Sequence, residues 1–171
     1  MNPMKWTSRA FEFTLQEGVY PCVVERLRGA PVRIEELTAN VPHELLTKRD
    51  GERWSFQEHI GHLLDLDDLH ERRLDEFLQN AEKLSPADMT NRKTWQAHHN
   101  QTEIAALLEA FRENRLRFVA RLEAVSEEVV GRTAQHPRLK QPMRLIDMVY
   151  FTAEHDDHHI ALMRAILNTV S

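Results

Sequence analysis

The sequence predicts an all-α protein built as a four-helix bundle, on three observations. Only 5 of 171 residues are glycine, and Leu, Glu and Arg recur throughout, which suits helices better than sheets. Apolar residues repeat with helical period in four long stretches, and no period-two alternation runs far enough to compete. Each stretch spans roughly 20–27 residues, about 30–40 Å as a helix, so the four can pack side by side along their length. A chain this long is expected to form one domain, residues 1–171, with a core that needs no staples.

The first helix is predicted over residues 7–28. Phe11, Leu15, Val19, Cys22, Val23 and Leu27 form its apolar stripe, Pro21 bends it, and Gly29 and Pro31 end it. Cys22 reads as a small core residue. A helical turn at 34–39 leads to a polar loop at 40–53. The second helix starts at Trp54-Ser55 and runs to about Ala81. Ser55 is its N-cap and Glu58, three positions on, completes a capping box. Ile60, Leu63, Leu66, Leu69, Leu74, Phe77 and Leu78 are its apolar positions, with His62 among them. A loop from Ser85-Pro86 to His99 carries Trp95; like Trp54, it reads as an anchor at a helix end. The third helix covers 102–125, with Ile104, Leu107, Leu108, Phe111, Phe118 and Leu122 inward and Arg112, Arg115, Arg117 and Arg121 toward solvent. Residues 126–142 read as irregular, and the fourth helix covers 143–168.

Composition excludes several classes. The net charge of −5 gives no footprint for general nucleic-acid binding. No stretch approaches the roughly 20 apolar residues of a membrane span. One cysteine precludes an internal disulfide, and the N-terminal residues hold no apolar signal-peptide core, so a cytoplasmic location is expected.

The chemistry concentrates in AEHDDHHIAL, residues 153–162. The apolar stripe of the fourth helix, Leu145, Met148, Val149, Thr152, then Leu162, Met163 and Ile166, passes through His155 and His159 if continued. Residues four apart share a helix face, so two imidazoles point where leucines are expected. A pair at this spacing is one half of a metal site, and His62 on the core side of the second helix is the obvious third ligand. Three neutral imidazoles suit Zn²⁺, Ni²⁺, Fe²⁺ or Mn²⁺ without choosing among them, and they leave a coordination position free for water or substrate. His59 and His158 each lie about 60° off the line of their neighbours and belong at the edge of the site or outside it. Asp65 and Asp156 are candidates to orient an imidazole. His43, His70, His98, His99 and His136 read as surface residues. No phosphate loop, nucleophile elbow or paired Glu-x-x-His motif is present.

The segment from Trp54 to Leu63, WSFQEHIGHL, resembles the second-helix signature of the DinB-like superfamily, in which a metal-binding histidine follows the Trp by eight residues; it maps onto His62. His136-Pro137, Leu145, Asp147 and the run from Glu154 to His159 resemble the fourth-helix signature, whose histidine pair maps onto His155 and His159. The resemblance implies a four-helix bundle with a long crossover connection, one divalent metal ion on three histidines between the second and fourth helices, and a homodimer. It also implies activity on a small molecule, either as a thiol S-transferase using a low-molecular-weight thiol or as a metal-dependent hydrolase. The alternative is a non-catalytic metal-binding or stress-response bundle. Asp65 and His158 are the candidates for a catalytic base.

Overall fold

A computed structural model describes residues 3–169. Among them the helices are α1 (Tyr20–Arg28), α2 (Ala30–Thr38), α3 (His43–Leu46), α4 (Phe56–Asp65), α5 (Asp67–Leu78), α6 (Arg92–Ala97), α7 (Ile104–Glu123), α8 (Glu127–Val130) and α9 (Leu145–Asn168). The bundle has four columns: α1 with α2, α4 with α5, α7, and α9. The first and second columns each pack against α7 and α9, so α7 and α9 lie across a diagonal from one another. The chain therefore crosses the bundle between the first column and the second, and again between α7 and α9. No helix among the described residues is long and apolar enough to cross a membrane.

The bundle agrees with the expectation; several elements do not. Residues 9–16 are not helical, and the first helix begins only at Tyr20. From Phe11 to Gln16 burial alternates residue by residue, the period of extended chain. Two of its carbonyls are satisfied by distant side chains: Gln141 Nε2 donates to Phe11 O at 3.2 Å and Arg144 Nη2 to Leu15 O at 2.9 Å. Pro21 sits in the first turn of α1, where its missing N–H costs nothing, so it starts the helix instead of bending it. The inward face is Tyr20, Val23, Val24 and Leu27, and Cys22 is exposed.

The second column starts as the capping box predicts: Ser55 Oγ accepts from the Glu58 N–H at 3.1 Å, and Glu58 accepts from the Ser55 N–H at 2.9 Å. It is interrupted at Leu66, whose carbonyl takes the Leu69 N–H in a tighter step, and it resumes as α5. Residues 126–142 are not wholly irregular. They hold α8 and β1 (Thr133–Gln135), which pairs antiparallel with β2 (Pro142–Arg144) in the register Thr133↔Arg144, so the first two residues expected in the fourth helix are strand and the helix starts at Leu145. The strands are three residues each, too short for an alternation to be read.

The core is divided. One apolar cluster gathers α1, α5, the C-terminal half of α7 and the N-terminal half of α9; the other gathers α2, α4, the N-terminal half of α7 and the C-terminal half of α9. Between them lies a buried polar layer containing His62, Asp67, His70, Arg115, His155, Asp156 and His159. Arg115 is fully buried and bridges α5 to α9: it pairs with Asp67 at 3.2 Å and more closely with Asp156. Its expected solvent position is therefore a correction. Phe111, Arg115, Phe118 and Leu122 share one helical face, and the guanidinium stacks 5.0 Å from the Phe111 ring.

Candidate metal centre

His62 faces the bundle interior from α4, and His155 and His159 face it from consecutive turns of α9. All three are buried, and one ligand-capable atom from each lies within 4.8 Å of the others. His155 Nε2 and His159 Nε2 are 3.2 Å apart. Two nitrogens bound at about 2.0–2.1 Å to a tetrahedral ion stand roughly 3.3 Å apart, so this pair has the required spacing. Burial pushes the imidazolium form of His62 down to about 4, and that of His155 and His159 well below the usual histidine range, with the neighbouring histidines adding to the shift. At neutral pH all three are uncharged and carry lone pairs. His155 Nδ1 is buried with no protein partner. Three neutral nitrogen donors, crowded together without a carboxylate among them, fit a divalent cation.

The surroundings orient the imidazoles. Thr94 Oγ1, presented by α6, lies 3.2 Å from His62 Nδ1, which directs Nε2 of that ring elsewhere. His59 Nδ1 lies 2.9 Å from His159 Nδ1, so His59 stands at the edge of the cluster as the helix geometry requires. Trp54 covers this side, its ring 4.5 Å from that of His62, and Trp6 covers the other, 4.8 Å from that of His155. His158 is half-buried and its ring meets His159 edge-on at 5.3 Å.

Neither acid expected to orient an imidazole holds one of the three clustered rings: Asp65 orients His99 instead, and Asp156 is engaged with a cation. Asp65 Oδ2 lies 2.9 Å from His99 Nε2, and Asp156 holds Arg115. Asp65 also lies outside the lining of the cavity described below, whereas His158 lies within it. Of the five histidines expected at the surface, His43 and His98 are exposed, but His70, His99 and His136 are buried. His99 is held by Gly61: a Cβ there would sit 2.1 Å from the imidazole Cδ2. Gly61 lies inside the WSFQEHIGHL segment, and a glycine within a helix is a signal of close approach. Thr94 and Trp6 gave no such signal, because the segments carrying them have no period linking them to the site.

The histidine cluster opens into a cavity of about 800 Å³. Its wall includes Trp6, Trp54, Leu66, Leu69, Phe151 and Leu162. An apolar chamber with a few polar groups at one end is the usual form of a small-molecule site.

The family model of the DinB superfamily matches residues 26–163. The chain belongs to the DinB superfamily. Its fold is similar to that of YfiT from Bacillus subtilis, with a TM-score of 0.76 and 18% identity over 95% of this chain and 93% of that one. That protein is described as a probable metal-dependent hydrolase with an unusual four-helix bundle topology. No curated protein matches the sequence at a significant level. The expected membership of the DinB-like superfamily and the bundle fold thus stand.

Proposed function

We propose that this DinB-superfamily protein is a divalent-metal-dependent enzyme acting on a small molecule, with His62, His155 and His159 as the metal ligands. The observation that carries the reading is the opening of a buried three-histidine cluster into an 800 Å³ cavity. A structural site would be closed by a fourth protein ligand. The description of YfiT favours hydrolysis over thiol transfer. Cys22 is exposed and outside the cavity lining, so a thiol would have to arrive as a cosubstrate.

The ion would supply Lewis acidity, polarising a carbonyl or lowering the pKa of a water or thiol at the free position. The rest falls to the chain. Thr94 and His59 fix the ring orientations, Trp6 and Trp54 exclude bulk water, and the apolar wall orients the substrate. His158, in the cavity wall beside His159, is the group placed to accept a proton from a nucleophile.

The test is turnover of a panel of small esters and amides by tag-free protein, as purified, after chelation and after adding metal back. Activity lost and restored in that cycle, and absent in a folded His155→Ala variant, supports the reading. Turnover indifferent to chelation overturns it. A protein that binds metal without turning over any of the panel, or a parallel panel of thiols with electrophiles, favours the non-catalytic alternative.

A further inference from the structure

The cavity carries a second polar end. Arg73 on α5, and His136 and Arg138 in the turn between β1 and β2, line the same chamber as the histidines. Eleven residues separate His62 from Arg73, about 16 Å of helix rise. None of these side chains has an acidic partner: neither guanidinium forms an ion pair among the described residues. Arg73 donates through Nε and Nη2 to the Ser85 carbonyl, at 3.0 and 2.8 Å. The nearby Glu76 carboxylate is occupied by Ser85, whose N–H it accepts at 2.8 Å. Asp88, the one acid in the cavity wall among the described residues, is committed to Thr90 and to the backbone N–H of Arg92.

Two donors here are left over. His136 Nδ1 accepts the Leu139 N–H at 3.0 Å, so the proton of the neutral ring sits on Nε2. That nitrogen is buried and has no partner, on a residue only 2% exposed. Arg138 lies 5.6 Å above the Phe151 ring, and its Nη2 is likewise buried and unpartnered. Burial and the two guanidinium groups push the imidazolium form of His136 down to about 4, and Arg73 is pushed to about 10 by burial, the Glu76 carboxylate opposing that shift and Arg138 adding to it. The three groups thus sense one another, and no carboxylate acts on His136 or Arg138. A buried donor without a partner is costly, so two at one end of a cavity point to a ligand that supplies the acceptors.

We propose that this end of the cavity is an oxyanion subsite, in which Arg138, His136 and Arg73 receive a carboxylate or phosphate group of the substrate while its reacting end lies at the three histidines. The place of the reacting end rests on the metal reading of His62, His155 and His159; the subsite stands on its own residues. The substrate is then a small anion long enough to span the chamber, with an apolar middle against Leu66, Leu69 and Phe151.

Calorimetric titration of the chelator-stripped full chain tests this, with inorganic phosphate, with glutarate and with neutral glutaramide as probes. Saturable one-to-one binding of phosphate or glutarate, and none of glutaramide, is expected; which anion binds identifies the headgroup. Arg138→Gln should weaken that binding about tenfold to a hundredfold, the loss of a charged hydrogen bond, and Arg138→Lys by less. His62→Ala should leave it unchanged. Thermal melts of each variant show whether it is folded. No binding of either anion to the stripped protein, or binding indifferent to Arg138→Gln in a folded variant, overturns the subsite. Binding that needs added Zn²⁺ and vanishes in His62→Ala also overturns it, since the anion is then a ligand of the metal. Anion binding that persists in a protein unable to take up Zn²⁺ supports the subsite and removes the metal reading.

Discussion

At the scale of single residues, the three histidines were legible because helical spacing placed them on inward faces, and the structure brings those three together. What spacing could not show was their partners. Asp65, three residues after His62, was the natural candidate to orient it, yet Thr94 from a different segment lies against that ring and Asp65 holds His99. Gly61 is where this arrangement is most exposed to substitution. Its missing Cβ leaves room for the His99 ring, which cannot retreat without breaking its bond to Asp65. Gly61→Ala should therefore destabilise the protein by about 1–3 kcal/mol in urea unfolding, although alanine is the better helix former. A neutral or stabilising result would show that His99 moves freely.

At the scale of elements, the helical period alone extends the first helix through residues that other elements claim. Residues 9–16 lie extended because Phe11 packs on Phe151 at 4.8 Å and on Trp6 at 5.1 Å, burying alternate side chains against α9. Residue type alone places Arg115 in solvent, yet its position between Phe111 and Phe118 is on the buried face of α7. The sequence position was the better guide. Removing the guanidinium leaves Asp67 and Asp156 buried without a counter-charge, so Arg115→Ala should cost about 3–5 kcal/mol of unfolding free energy. A loss below about 1 kcal/mol would mean that the carboxylates find water or become protonated. Arg112, which pairs with Glu35 nearer the surface, should tolerate the same change with little effect.

At the scale of the whole molecule, the bundle is two apolar blocks separated by a polar layer rich in buried neutral histidines. This gives the fold a pH dependence of definite sign. The protonation of His59, His62 and His136 is pushed down to about 4 in the folded chain, against about 6.5 when unfolded. Between those values the unfolded chain takes up more protons, so stability rises with pH there and is fully present above about 6.5. Between pH 7 and pH 5 the metal-free protein should lose on the order of 1–2 kcal/mol per such histidine, read from urea midpoints. An unchanged midpoint would mean that these rings are solvated. The polar layer also explains why a four-helix bundle was predictable while its site was only half so: the apolar blocks obey helical periods, but the layer is assembled from α4, α5, α7 and α9, which no single period connects.

Whether His62, His155 and His159 form one metal centre is decided by elemental analysis of tag-free protein. About one divalent ion per chain is expected in the wild type after equilibration with metal, and loss of that ion in a His62→Ala variant that remains folded. A wild-type chain that takes up no divalent ion, or a His62→Ala chain that holds it as tightly, would contradict the three-histidine centre.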